Sequence, residues 1–318
     1  YKMKGKLLIL LLFISGISLS QDIHFSQNFV DRMYFNPAVV GDLGEEDYRV
    51  SVQRKSQWNS VTVPFSTFST SFENKDFIKG LNLGVQFFND KSGDSKLTLN
   101  QLNIALSKNY KVLKVNSFSI GGIIGFGQKT IDYSSLIFEE EENFISDNFL
   151  FPDIGIGLDY RTNPYEILSY NVGLSIYHIN QANMSFNENE NVKLPIKNNV
   201  NLGVSYKYSE MIKVNSELII TNQWVQKEIL IGVRPEIKLD EIILFPLAYY
   251  RINDAAIFGF GIEKDNLQFN ISYDINTSDL TTASNYKSGF EFSIIYLWKK
   301  KKKKKLINKE EEKCPKYL

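Results

Sequence analysis

From Tyr48 onward, apolar and polar residues alternate one by one through a series of short segments. In "VNLGVSYKY", Val200, Leu202, Val204, Tyr206 and Tyr208 share one face, and Asn201, Gly203, Ser205 and Lys207 share the other. "LQFNISYDI" sets Leu267, Phe269, Ile271, Tyr273 and Ile275 against Gln268, Asn270, Ser272 and Asp274. "DIGIGLDY" sets Ile154, Ile156, Leu158 and Tyr160 against Gly155, Gly157 and Asp159. A period of two is the signature of a strand with one apolar face. Fourteen such segments are predicted, near 48–58, 62–73, 80–89, 96–109, 115–131, 150–162, 166–179, 197–208, 211–222, 225–237, 241–251, 254–264, 266–276 and 288–298. The alternation slips phase at Asn100-Gln101, which reads as a bulge. It is poor in 211–222 and 241–251, where Pro246 argues for a bulge or a strand end.

This pattern fits a soluble sandwich, with apolar faces packed inward, or a membrane barrel, with apolar faces toward lipid. Tyr and Phe cap the apolar faces, as in interfacial girdles, and Gly, Asn, Ser and charges line the others. The connections alternate in length. One set is short, such as "TNPY", "SEM", "KLDE" and "KDN". The other holds the three longest: "DYSSLIFEEEENFISDNF", "HINQANMSFNENENVKLPIK" and "NTSDLTTASNYKS". Short periplasmic turns and longer outside loops are the habit of outer-membrane barrels. The expected fold is all-β: a transmembrane antiparallel β-barrel of about fourteen strands, spanning residues 48–298.

Residues 1–20 read as a secretory signal, with Lys2, Lys4 and Lys6 before the apolar "LLILLLFISGI" and "SLS" ahead of Gln21. Basic and acidic residues are equal in number, 36 of each, but unevenly placed. The body is net acidic, whereas residues 299–318 form a basic tail opening on the Lys299–Lys305 run. Both ends of the mature chain are expected in the periplasm. The single cysteine, Cys314, excludes an internal disulfide.

Residues 21–47 have no slot in the sheet. Their core, "HFSQNFVDRMYFNPAVVG", is apolar and amide-rich and follows neither a helical nor a strand period. So little charge makes a poor disordered leader. The segment is expected to fold into the lumen or across its periplasmic mouth as a plug, with Asn36-Pro37 fixing a turn. Strand parity places Arg49, Asp159, Lys207, Arg234, Glu263, Asp274 and Glu291 inward. Confined charges need partners, and the plug's amides can supply them.

The chemistry of an enzyme is missing. Two histidines and one cysteine are too few for an ordinary His/Cys metal site. The glycines of "GGIIGFGQ" alternate along a strand with no helix following, so they read as small lumen residues rather than a phosphate cradle. His178, Asp153 and Ser185 form a triad only on paper. The acidic run 139–143 lacks the spaced ligands of a calcium loop. The lysine tail reads as solvated or as a contact to an acidic partner, not as a nucleic-acid site. No catalytic residue, cofactor or metal is expected.

The chain resembles the PorP/SprF family of outer-membrane proteins of the type IX secretion system and gliding machinery. "FSQNFVDRMYFNPAVVG" is similar to the family's N-terminal signature, with Phe25, Gln27, Asn36, Pro37 and Gly41 in place. Arg49, Gln57-Trp58, Pro64 and Ser71-Phe72 follow at similar spacing. "PDIGIGLDY", "GLSIYHINQANMSF…LP", "YRINDAAIFGFGIEKDNLQFNISYDINTSDL" and "GFEFSIIYL" resemble its later signatures. Ala38-Val39 stands where members commonly carry Tyr, and the lysine run is not a family feature. The resemblance implies a non-enzymatic barrel in outer-membrane lipid that assists export or surface anchoring of an adhesin-like cargo and meets periplasmic lipoproteins. Phe25, Gln27, Asn36, Pro37, Arg49, Trp58, Asp159, Arg234, Glu263, Asp274 and Glu291 are then candidate plug and lumen residues. His178, Asn180, Gln181 and Pro195, in an outside loop, are candidate cargo contacts. The competing readings are a general diffusion porin and a secreted, soluble β-sandwich binding protein.

Overall fold

The computed structural model describes residues 22–57, 65–92, 97–113, 115–132, 147–186, 191–278 and 287–300. The leader 1–20, Trp58, the acidic run 139–143, Lys301–Lys305 and Cys314 lie outside the described residues.

The strands are β1 (Tyr48–Gln57), β2 (Phe65–Ile78), β3 (Leu81–Ser92), β4 (Leu97–Val112), β5 (Asn116–Thr130), β6 (Asn148–Arg161), β7 (Leu168–Tyr177), β8 (Lys197–Lys207), β9 (Ile212–Gln223), β10 (Gln226–Val233), β11 (Glu236–Leu239), β12 (Ile242–Arg251), β13 (Ala255–Lys264), β14 (Leu267–Asn276) and β15 (Lys287–Trp298). Every pairing is antiparallel, and β1 against β15 closes the ring. β10 and β11 both pair with β9 and β12, as two halves of one interrupted stave. The wall is therefore a closed barrel of fourteen staves. Closure satisfies every ladder and leaves no edge, which a bilayer demands.

The apolar faces point outward. Leu202, Val204 and Tyr206 are exposed, as are Phe269, Ile271 and Tyr273, while Gln268, Asn270, Ser272 and Asp274 are buried inside. A water-facing surface of this kind would be untenable, so the outside is a lipid face. Tyr48 stacks on Trp298 at 5.2 Å, and Trp298 on Tyr296 at 5.3 Å, across the closing seam. The three longest connections, 131–147, 178–196 and 277–286, share one end, here the long-loop end. Turns such as Asp265-Asn266 mark the short-turn end, where β1 begins.

Two local expectations are corrected. β4 has no bulge at Asn100-Gln101, because its register with β3 and β5 is unbroken. The phase slip arises because Leu99 packs inward, while Asn100 sits on the outer face and accepts from Asn89 Nδ2 at 2.7 Å. Pro246 ends nothing: β12 pairs with β13 in continuous register through it. The interruption lies on the neighbouring stave instead, at Arg234-Pro235 between β10 and β11.

Part of the lumen is occupied. Residues from Asp22 to Leu43 run inside the wall, with two single 3₁₀ turns, Arg32–Tyr34 and Pro37–Val39. Phe25, Phe29, Val30, Tyr34 and Phe35 form one apolar core with inward residues of the wall, including Phe88, Ile219, Leu230, Leu247, Tyr249 and Ile257. Tyr34 meets Phe25, Phe35 and Phe88 edge-on at 5.6, 5.3 and 6.2 Å.

Leu202→Arg puts a charge on the lipid face at a cost of about 2–4 kcal/mol if it lies near mid-depth. The expected result is a reduced folded fraction by heat-modifiable gel mobility. Cysteine at 202 labels fast with lipid-soluble maleimides and cysteine at 203 slowly; the reverse order would put the apolar faces inside.

Candidate functional site

The interface between residues 22–47 and the wall is the chemically richest part of the molecule. At the long-loop end, Asp22 accepts from Lys197 Nζ at 2.7 Å and from His178 Nε2 at 2.9 Å, and His178 Nδ1 lies 2.9 Å from Asp153. His178 has a left-handed φ of +59° just past β7, which turns the chain at the strand end. Burial alone would lower the pKa of His178, but Asp22 and Asp153 more than offset it and raise it to about 9. Burial pushes the Asp22 carboxyl up, yet Lys197 and His178 hold it well below its usual range.

At mid-height the wall's charges meet the segment's backbone. Glu291 accepts from the backbone N–H groups of Ser26 and Gln27, each at 2.9 Å. The Gln27 amide donates to Ser272 Oγ and to the Glu291 carbonyl, each at 3.0 Å, and Gln53 also donates to the Glu291 carboxylate. Lys55 Nζ reaches the His24 carbonyl at 2.7 Å, Ser26 Oγ at 2.9 Å and Asp274 at 3.1 Å. Arg251 bridges Asp254 at 2.9 Å and Glu228 at 3.4 Å, and Glu228 also holds His24 Nδ1 at 2.6 Å.

Toward the short-turn end, Glu73 is clamped between Arg49 at 3.0 Å and Arg32 at 2.9 Å, and accepts the Gly41 N–H at 3.0 Å. Arg49 also donates to the Val30 carbonyl at 2.6 Å and the Phe29 carbonyl at 3.2 Å. The Arg234 guanidinium lies 4.2 Å from the Phe29 ring centre. Asn36 caps the turn Pro37–Val39 by accepting the Ala38 N–H at 2.9 Å, with Pro37 at its first position. Its amide donates to the Leu158 carbonyl on the wall at 2.9 Å. Gly121 and Gly157 make room here: a Cβ on the first would overlap the Pro37 backbone, and on the second the Asn36 side chain.

The structure thus gathers Phe25, Gln27, Asn36, Pro37, Arg49, Arg234, Asp274 and Glu291 at the segment–wall interface. Asp159 is buried beside them and accepts from Arg161 at 3.3 Å, whereas Glu263 is half-buried on the inward row of β13. Charged wall partners absent from the sequence-based set include Lys55, Glu73, Lys197, Glu217, Glu228 and Arg251. Lys55 lies on the parity row of Arg49, so that signal was available; Arg251 ends a strand whose alternation is weak. Of the expected cargo contacts, Asn180 and Gln181 are exposed, and the Pro195 carbonyl accepts from Gln223 at 3.4 Å. His178 is buried, with both ring nitrogens on carboxylates, so neither is directed at Ser185. Trp298 lies at the short-turn end. Asp22 does not: it is bound at the opposite end, so the segment threads the lumen's length. The expectation of two ends on one side is corrected for the N-terminal one, because Asp22 is held by Lys197, His178 and Gln223 at the long-loop ends of their strands.

The family model for "Type IX secretion system membrane protein PorP/SprF" matches residues 17–296. The chain belongs to the PorP/SprF family. Among solved structures, a Pseudomonas aeruginosa FadL homologue is similar at TM-score 0.52 and 8% identity, over 84% of this chain and 93% of that one. A deltaS2S3 mutant of TodX, a monoaromatic hydrocarbon channel, is similar at TM-score 0.51 and 8% identity, over 83% and 92%. At such identity these similarities speak for the barrel fold alone. A search of curated proteins finds no match. Family and fold together make this PorP/SprF chain an outer-membrane barrel of the type IX secretion system.

Two predictions follow from the interface. Protonated His178 donates to both Asp22 and Asp153; once neutral, one ring nitrogen turns a lone pair toward a carboxylate. Its folded pKa is raised, so its stabilisation is complete below the ordinary value of 6.5 and is lost as pH rises through about 9. Hydrogen exchange at residues 22–24 should quicken across that window, and His178→Gln should remove the step. Arg49→Leu leaves Glu73 with Arg32 alone and strips a donor from Phe29 and Val30. The expected cost to docking is about 2–4 kcal/mol, below the full loss of a buried pair. It should appear as protease sensitivity within 22–47 while the barrel stays heat-modifiable.

Proposed function

We propose that this PorP/SprF barrel is a non-enzymatic accessory of type IX secretion that works as a plugged barrel rather than an open pore. It assists export or surface anchoring of an adhesin-like cargo at its long-loop end and meets periplasmic lipoproteins at its short-turn end. The observation that carries this reading is the occupied lumen. Residues 22–47 are tied to the wall along its height, through Asp22, Glu291 and Glu73. A diffusion porin needs a continuous aqueous lumen. Here the segment stands between a cavity of about 270 Å³ at the long-loop end and one of about 410 Å³ lined by short-turn residues such as Arg161 and Pro164. A non-catalytic role agrees with the engagement of both His178 ring nitrogens by carboxylates.

The test is planar-bilayer conductance of the purified barrel and of a variant lacking residues 21–45. The intact protein should show no large steady conductance. The variant should remain heat-modifiable and open a steady pore. A large pore in the intact protein would restore the porin reading, and a variant that fails to assemble would make the segment part of the fold itself. Cross-linking in native membranes, from cysteines at exposed Asn180 and Gln181, should trap a secreted cargo protein; loss of cargo export without such adducts would argue against direct contact.

A further inference from the structure

On the outer face of β1 to β5 the apolar surface gives way to a polar patch near the long-loop end. The ladders align Arg54 on β1, through Phe68 on β2, with Asn89, Asn100 and Gln128 on β3 to β5 in one outward row. Lys91 of β3 stands one outward position nearer the long loops, between Ser66 and Thr98. The row on the other side is apolar, with Phe87, Leu102 and Phe126 exposed to lipid. Phe292 on β15 and Leu150 on β6 flank the patch. Its amides Asn89 and Asn100 satisfy each other, but its two cations are left over. Arg54 and Lys91 are exposed, and among the described residues neither has a hydrogen bond or an ion pair. No acidic side chain shares the outer face of these two rows. Asp90, next to Lys91 in the chain, points inward and accepts the Thr67 hydroxyl at 2.6 Å. Arg54 and Lys91 lie two strands and two positions apart, about 10 Å across the sheet and about 7 Å along it. Both side chains are long enough to lean toward one group between them.

We infer that this patch binds the phosphorylated headgroup of an anionic lipid in the outer leaflet, with Arg54 and Lys91 sharing the phosphate and the acyl chains lying on Phe87 and Leu102. A cation at the edge of a lipid face needs an anion or water, and the cross-strand neighbours of Arg54, Phe68 and Phe292, offer neither. Guanidinium and ammonium groups make charge-assisted hydrogen bonds to phosphate oxygens. The patch adjoins the apolar face, so a lipid engages both at once, whereas a free anion reaches only the two cations. This goes beyond the role in secretion and rests only on the lipid-facing wall, with its long loops on the outer side.

The test uses the intact barrel purified in detergent, with diphosphoryl lipid A as probe and the same lipid stripped of its phosphates as control. Native mass spectrometry should show the phosphorylated lipid retained at least about tenfold better than the control, as expected for charge-assisted bonds. The double variant Arg54→Gln, Lys91→Gln should bring the two within about twofold. Lys227→Gln, which removes an exposed lysine from the outer face of β10, should leave the preference unchanged. Excess inorganic phosphate should not displace the lipid. Heat-modifiability checks that each variant is folded. Equal retention of both lipids by the native barrel, or a preference that survives the double variant, would overturn the assignment. An equal loss in Lys227→Gln would reduce it to unspecific charge attraction, and displacement by inorganic phosphate would reduce it to a free-anion contact; either result overturns the lipid site.

Discussion

The charges enclosed by the barrel wall are the constraint to which the rest of the structure answers. Arg49, Lys55, Glu73, Arg251, Asp274 and Glu291 are all nearly inaccessible to solvent. Removing an ion from water costs several kcal/mol unless partners replace its hydration. The wall supplies some of these partners itself, as in Lys55 with Asp274. The remainder come from residues 22–47, whose backbone N–H and carbonyl groups meet Glu291, Glu73, Arg49 and Lys55 directly. A helix or strand would spend those backbone groups internally. The segment is irregular because its backbone is the wall's hydrogen-bonding partner.

The same docking shapes the wall. Ile219 on β9 and Leu247 and Tyr249 on β12 face inward onto Phe25, Phe29 and Tyr34, while Leu218, Ala248 and Tyr250 take the other face. Both faces of these strands are therefore apolar, and the period of two fades where the wall packs on the segment. Gly121 and Gly157 mark the opposite adjustment, a wall thinned to admit Asn36 and Pro37. Strong, weak and glycine-rich alternation thus map what stands behind each strand.

The segment is fixed most tightly at its middle and most conditionally at its start. Glu73 and Glu291 are met by several donors each. The Asp22 end depends on Lys197 and on a histidine that loses its charge as pH rises through about 9. The end nearest the long loops is accordingly the part of the segment most open to release.

By itself the sequence determined the barrel. Alternation through most of the strands from Tyr48 to Trp298, with long and short connections segregated, is a local property carried in the residues of the strands themselves. It also marked Arg49, Asp274 and Glu291 as inward and residues 24–41 as belonging to no strand. The tertiary structure alone decided which charges meet, because Lys55 and Asp274 lie far apart in the chain and become neighbours only when β1 closes on β15. It decided that Leu99 is a lumen residue, where the phase slip imitated a bulge, since only the unbroken ladders to β3 and β5 distinguish the two. It placed His178 inside rather than on an outer loop, because its partner Asp22 arrives from the other end of the barrel. Such pairings depend on the path of a segment that has no period, and a sequence without a period carries no record of its direction.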